Sequence, residues 1–306
     1  MDWRIKGVIQ KALSVMPGGM HANDLLQRSL GMLRHFDRTV AEKVEDWAIH
    51  MGHLRQLEVP LAGKRVFEIG TGWLPTFPLC YALAGAGSCV TVDLHRHMGN
   101  RLPLRLVNQL GRHLDEIAVA VGVPVEEVRA RHADLRAARS VPELLRRAHI
   151  EYVAPGDATA CPLTDDSVDI VFSNSVLEHV PHEVLRAMMR ESKRILRPGG
   201  LIIHSVNCGD HYAYFDKNIN FMNYLQFSEA QWQFWNNDLQ YQNRLRPQHF
   251  IAATEEAGLE MRICKYVARA DLLAALETMR IAPEFASYAP EQLACKSIDI
   301  VAGKPA

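Results

Sequence analysis

Val66-Phe67-Glu68-Ile69-Gly70-Thr71-Gly72-Trp73 is a short apolar run that ends two residues after an acid in a G-x-G turn. A run of this length with β-branched and aromatic residues reads as a buried strand, and the glycines allow a sharp turn and a close approach of backbone to a ligand. Phe77 to Ala84 then has the pattern of a helix, and Ser88 to Leu94 (S-C-V-T-V-D-L) is a second strand. Strand, glycine turn, helix, strand is the opening unit of a parallel sheet.

Outward from this unit the alternation continues. Helical stretches are expected at Arg101 to Val121 and Pro124 to Ala148, a strand at Glu151 to Ala154, and another at Val168 to Ser173. A helix at Glu183 to Leu196 and a strand at Leu201 to Asn207 follow, then a helix at Pro247 to Ala257 with Gly258 as its C-cap. Strands at Glu260 to Val267 and Lys296 to Ala302 complete seven. The expected fold is α/β, a doubly wound sheet with helices on both faces.

Three segments stand outside that rhythm. An amphipathic helix at Trp3 to Met16 stops at Pro17-Gly18-Gly19, and a second helical stretch runs from about Asn23 to Leu57, so residues 1–60 read as an N-terminal helical cap ahead of a domain at 61–306. The stretch at about 99–148 reads as a helical insertion. Residues 208–246 are dense in aromatics, among them Tyr212, Tyr214, Trp232 and Trp235, and read as an inserted lid whose rings are divided between core packing and a pocket wall.

The composition excludes several classes of function. Lys plus Arg (34) nearly cancels Asp plus Glu (35), which leaves no global field for a phosphate backbone or an anionic membrane. The arginines between Arg129 and Arg147 interleave with Glu126, Glu127, Asp134 and Glu143 and read as a solvated helical face. Six scattered cysteines without a C-x-x-C pair argue against a zinc knuckle or a disulfide framework. No apolar run reaches membrane-spanning length, and the expected location is cytoplasmic. A small-molecule substrate is expected, with no nucleic acid and no membrane; a homodimer is compatible with the sequence.

Asp93 ends the second strand 21 residues after Gly72, where a carboxylate can accept from both hydroxyls of a ribose. A nicotinamide dinucleotide and S-adenosylmethionine both fit that spacing. The dinucleotide fingerprint needs a third glycine at position 75, which is Pro75 here, and Glu68 suits a cationic ligand better than a diphosphate. Together, Glu68 to Gly72, Asp93, Gly156-Asp157-Ala158, the run V-D-I-V-F-S-N-S-V-L-E-H-V (Val168 to Val180) and L-R-P-G-G-L (Leu196 to Leu201) resemble the class I S-adenosylmethionine-dependent methyltransferases, most closely their small-molecule branch.

The resemblance spans about Arg65 to Asn207. It implies a Rossmann-like seven-stranded sheet with a C-terminal antiparallel hairpin and S-adenosyl-L-methionine as cofactor, released as S-adenosyl-L-homocysteine. Carried over by matching motif, it places Gly70, Thr71 and Gly72 under the methionine portion, with Glu68 holding the turn or the ammonium. Asp93 holds the ribose, Leu94 packs on the adenine, Asp157 and Ala158 meet the adenine, and Ser173 and Asn174 lie beside the methionine. Leu74 replaces the family's common third loop glycine, and the stretch between the second and third strands is longer than usual.

The sulfonium is already activated, so the protein must mainly align the acceptor and remove its proton. His179 in L-E-H-V and His211 in D-H-Y are the candidate bases, with cofactor-site packing the competing role for His179. Histidine near the site favours a hydroxyl oxygen as acceptor over nitrogen or carbon. Tyr212, Tyr214, Trp235, Arg244 and Arg246 are the candidate substrate contacts, with capping or surface pairing as the other reading of the arginines. No metal is expected: Glu178, His179 and His182 approach an E-x-x-E-H pattern, but position 175 is Ser. A ligand-binding protein of the same fold without turnover, or less readily a nicotinamide oxidoreductase, is the alternative.

Overall fold

The computed structural model describes residues 2–16, 35–237 and 239–306. Its seven strands are β1 (Arg65–Ile69), β2 (Ser88–Val92), β3 (Ile150–Val153), β4 (Val168–Asn174), β5 (Leu196–Asn207), β6 (Glu260–Ala268) and β7 (Cys295–Gly303). They form one sheet in the order β3-β2-β1-β4-β5-β7-β6. β1 to β5 pair in parallel, and β7 inserts antiparallel between β5 and β6. Strand order reverses between β1 and β4, and the crevice at the carboxyl ends of the strands at such a switch point is where open α/β sheets take ligands.

The helices are α1 (Trp3–Ser14), α2 (Phe36–Gln56), α3 (Thr76–Leu83), α4 (Leu102–Leu110), α5 (Leu114–Val121), α6 (Val125–Arg136), α7 (Val141–Arg147), α8 (His182–Ile195), α9 (Glu229–Trp235), α10 (Pro247–Glu256), α11 (Ala270–Leu276) and α12 (Pro290–Leu293). Where the sequence promises two long helices between β2 and β3, the chain makes four. Gly111 and His113 break the first, and Gly122 takes a left-handed conformation at φ 73° before Pro124 opens the next. Ala137 to Ser140 divides the last pair, with the Ser140 hydroxyl accepting from the Glu143 amide.

Of the second N-terminal stretch, the part from Asn23 to Arg34, with Leu25, Leu26, Leu30 and Leu33, lies outside the described residues. The rest is α2, which enters the main core. Trp47, Val44 and Met51 are buried with Tyr81 of α3 and Phe172 of β4 in one apolar layer, and α4 to α7 pack around it. Helix α1 goes elsewhere: Trp3 is buried against Tyr212, Phe227 and Trp235, with ring centroids 4.7–5.7 Å apart. The two N-terminal helices therefore do not form one cap, because α2 covers the sheet and α1 covers the lid.

The lid has its own core of Trp3, Tyr212, Met222, Tyr224, Trp232, Leu272, Phe285 and Leu293. Helices α11 and α12, between β6 and β7, complete it; both are too short to leave a clear periodicity in the sequence.

Candidate active site

Gly70 and Gly72 turn the chain at the end of β1 with φ of 83° and 63°, a conformation L side chains rarely adopt. A Cβ on Gly70 would stand 2.5 Å from Cγ2 of Val176, in the loop after β4, whereas a Cβ on Gly72 would meet nothing within 4 Å. The turn is thus wedged against the neighbouring strand at Gly70 and open at Gly72, which is a backbone cradle. Asp93 lies beside it: Oδ2 accepts from the Gly72 amide at 2.7 Å, and Oδ1 stands 4.0 Å from Nε2 of His97.

Glu68 is buried below the turn. Its carboxylate accepts from the Thr91 hydroxyl, which is also hydrogen bonded to the Thr71 hydroxyl. Burial pushes the Glu68 carboxyl up to about 8. This geometry suits the turn-holding half of the role expected for Glu68. At the end of β3, Asp157 is exposed and accepts from the backbone amide and hydroxyl of Thr159, which hold its carboxyl below the usual range; Ala158 is buried. Leu94 is 64% exposed, free to cover a ring.

At the end of β4 the two expected residues diverge. Ser173 is fully buried, with its hydroxyl 2.8 Å from Nδ1 of His204 within the sheet layer. Asn174 donates to Asp46 of α2 at 3.0 Å, and Lys43 stands 3.7 Å from the same carboxylate. Lys43 and Asp46 are thus part of the crevice wall. The sequence offered no sign of this, since both read as the polar face of a helix.

The loops after β4 and β5 converge on the same crevice. Glu178 and His179 sit in a short turn, Leu177–His179, and His211 opens another, His211–Tyr214, after β5. The two imidazoles are 5.0 Å apart between centroids, and Tyr214 stacks edge-on to His211 at 5.9 Å. Burial lowers the pKa of both histidines, that of His211 to about 3. His179 nevertheless keeps an exposed edge.

Residues 241–243 clamp this cluster. The Tyr241 carbonyl lies 2.7 Å from Nδ1 of His179. The Gln242 side chain accepts from the His211 amide at 3.1 Å and donates to the Gly209 carbonyl at 2.5 Å. Asn243 donates to the carbonyls of Leu177 and Val180 at 2.7 and 2.8 Å. Tyr241 enters the sequence reading only as one of the lid's aromatics, and Gln242 and Asn243 beside R-L-R look like ordinary loop polarity.

Other expected substrate contacts are corrected by the structure. Arg246 is fully buried, and its guanidinium donates to the carbonyls of Gln292, Leu293, Cys295 and Cys208 and to the Tyr224 hydroxyl. Arg244 donates to the carbonyls of Tyr224 and Phe227 and pairs with Glu229 at 2.6 Å. Tyr212 is buried, donates to the Trp235 carbonyl at 3.0 Å and packs with Trp235 on Trp3. These four side chains build the lid. Tyr214, 43% exposed with its hydroxyl accepting from Asn207 at 2.9 Å, is the expected contact that faces the histidines.

A separate recess, lined by Gly85, Arg131, Arg147 and His149, lies at the amino ends of β2 and β3, the opposite end of the sheet from Asp93. Its arginines are already paired with Glu127, Glu143 and Asp134.

A doubly wound sheet with one reversed strand, a glycine turn opposed by an acid across β1 and β2, and loops after β4 and β5 that meet beside it are the arrangement that the resemblance to class I methyltransferases implies. Residues 115–204 match the family described as a methyltransferase domain. The match covers β3, β4 and the first part of β5, so the glycine turn and Asp93 lie upstream of it. No curated protein matches the chain. Among solved structures, it is similar to an S-adenosylmethionine-dependent methyltransferase of Methanosarcina mazei (12% identity, 82% of this chain and 97% of that one, TM-score 0.47). It is also similar to geranyl diphosphate methyltransferase solved with geranyl diphosphate and sinefungin (12%, 86% and 77%, TM-score 0.46) and with S-adenosylmethionine (13%, 86% and 84%, TM-score 0.45).

Proposed function

We propose that this chain is an S-adenosylmethionine-dependent methyltransferase that methylates a hydroxyl oxygen of a small molecule held between the β4 and β5 loops and the lid. The observation that supports this most is that the loop after β4, which sets Val176 against the Gly70 turn, also carries His179 beside His211. The cofactor supplies a methyl group on a sulfonium, an electrophile that needs no further activation. In this reading the Gly70 to Gly72 backbone supports the methionine portion, Asp93 the ribose, Asp157 and Ala158 the adenine, and Leu94 covers the ring. Asn174, held by Asp46, borders the methionine end.

On the acceptor side, burial keeps His179 and His211 neutral near pH 7, so each can accept a hydrogen bond from a hydroxyl. A base as weak as His211 does not ionise an alcohol in advance; the proton leaves as the new oxygen–carbon bond forms. Tyr214 and the exposed edge of His179 line the route by which the acceptor enters. Arg244 and Arg246 are committed to the lid, which favours a small molecule over a nucleic acid. Five buried free thiols and one exposed one favour a reducing compartment such as the cytoplasm. No described helix is long and apolar enough to cross a membrane.

Isothermal titration with S-adenosylmethionine and S-adenosylhomocysteine, with NAD as control, tests the cofactor half. Binding that Asp93→Ala weakens at least tenfold is expected, and tight NAD binding in its place overturns the reading. Incubation with methyl-labelled cofactor and fractionated small molecules tests the acceptor half. Label confined to protein or nucleic acid counts against a small-molecule hydroxyl.

A further inference from the structure

We propose that Glu178, His179 and His211 bind one divalent transition-metal ion on the acceptor side of the crevice. A carboxylate oxygen of Glu178 and a ring nitrogen from each histidine lie within 4.8 Å of one another. Ligands about 2.1 Å from a shared ion stand roughly 3–3.5 Å apart, so small side-chain rotations complete the set.

The unpartnered atoms aimed into this cluster point to a ligand. Glu178 is 1% exposed, and neither carboxylate oxygen makes a hydrogen bond of full geometry; the amides of Glu178 itself and Asn207 approach closely enough only to offset part of the burial. Nε2 of His211 is also buried without a partner. An unpaired buried carboxylate facing an unpaired imidazole nitrogen is costly, and a cation satisfies both at once.

The supporting shell is also that of a metal site. Ligating histidines usually donate their second ring N–H to a carbonyl or carboxylate, which fixes the tautomer and leaves the other nitrogen to the metal. His179 meets the Tyr241 carbonyl through Nδ1, leaving Nε2 for an ion. Gln242 and Asn243 hold the backbone of the two turns that carry the ligands.

Two imidazoles and one carboxylate suit zinc, iron, cobalt or manganese in the divalent state rather than calcium or magnesium, which prefer oxygen donors. Three protein ligands leave coordination positions free toward the exposed edge of His179. This rests on the methyl-transfer reading above and changes one part of it: with the ion bound, the acceptor oxygen would take one of those positions and have its proton acidified by the ion, in place of donating it to an imidazole. Sequence spacing nominates His182 as the third ligand, but its ring instead packs edge-on to His249 at 5.5 Å. The chain brings in His211, 32 residues beyond His179, because the loops after adjacent strands β4 and β5 end side by side.

The test uses the full chain, free of any affinity tag and stripped with chelator, dialysed against Zn²⁺ and assayed for bound metal, with Co²⁺ absorption as an independent signature. One retained equivalent is expected. His179→Ala and His211→Ala should each weaken binding at least tenfold, and His182→Ala should leave it unchanged. His211→Phe, which keeps a ring against Tyr214, guards against misfolding of the alanine variant, with circular dichroism as the check. Failure of the wild type to retain metal, or equal retention by the His179 and His211 variants, overturns the site. Titration of the metal-free chain with S-adenosylhomocysteine tests the cofactor reading separately, so either can fail alone.

Discussion

At the residue scale, Gly70 shows how one position meets two demands. Its positive φ would cost an L residue about 1–2 kcal/mol, and any Cβ there would also collide with Val176. Gly70→Ala is therefore expected to lower cofactor affinity at least tenfold by calorimetry. Combining it with Val176→Ala should recover part of that loss, because the collision is relieved while the backbone strain stays. No recovery in the double variant would mean that the strain alone sets the effect. Gly72, with open space before it, has no such collision, so a substitution there carries the backbone strain of its positive φ without a clash to relieve.

At the scale of elements, the lid is held by Arg246 and by the return segment 241–243. Removing the Arg246 fork leaves four carbonyls and a tyrosine hydroxyl without their donor inside the lid core. Arg246→Lys keeps the charge but cannot reproduce the planar fork, and it should destabilise the protein by about 3 kcal/mol in urea unfolding. A loss below about 1 kcal/mol would show that water readily replaces the guanidinium. Asn243→Ala releases the carbonyls of Leu177 and Val180 and should raise amide hydrogen exchange across residues 175–180 while leaving α6 unaffected. Unchanged exchange there would remove Asn243 from the account of how His179 is placed.

At the scale of the whole molecule, α2 is joined to the sheet through buried titratable groups. Nε2 of His50 meets the Ser205 hydroxyl at 3.1 Å, the same hydroxyl donates to Asp299 at 2.6 Å, and Nδ1 of His50 has no partner. Burial pushes His50 and His204 down to about 3. Below the ordinary histidine value near 6.5 the unfolded chain then binds protons that the native state refuses, so stability rises with pH from about 3 to 6.5. Glu68 works in the opposite sense: with its folded pKa raised to about 8, its contribution is present below about 4.5 and is lost as pH rises through 8. The cofactor-free protein should accordingly melt highest between about pH 6 and 7. His50→Gln should flatten the acid limb, and an acid limb of the same slope in that variant would locate the titration elsewhere.

The sequence by itself determined the chain order of the seven strands, the glycine turn and Asp93, and the family resemblance added the antiparallel terminal hairpin. These are legible because strand and helix periodicities, glycine dihedrals and strand-end acids are local properties, fixed by neighbours a few residues away. It also named His179, His211 and Tyr214. Tertiary structure alone decided that Arg244, Arg246 and Tyr212 build the lid and that α1 covers the lid while α2 enters the core. It alone also set Lys43, Asp46 and residues 241–243 at the crevice and Glu178 opposite His211. An arginine's sequence context does not reveal which carbonyls will surround it. Those partners come from Leu293, Cys295 and Tyr224, separated along the chain and joined only when β7 inserts between β5 and β6 and draws the lid onto the sheet's edge.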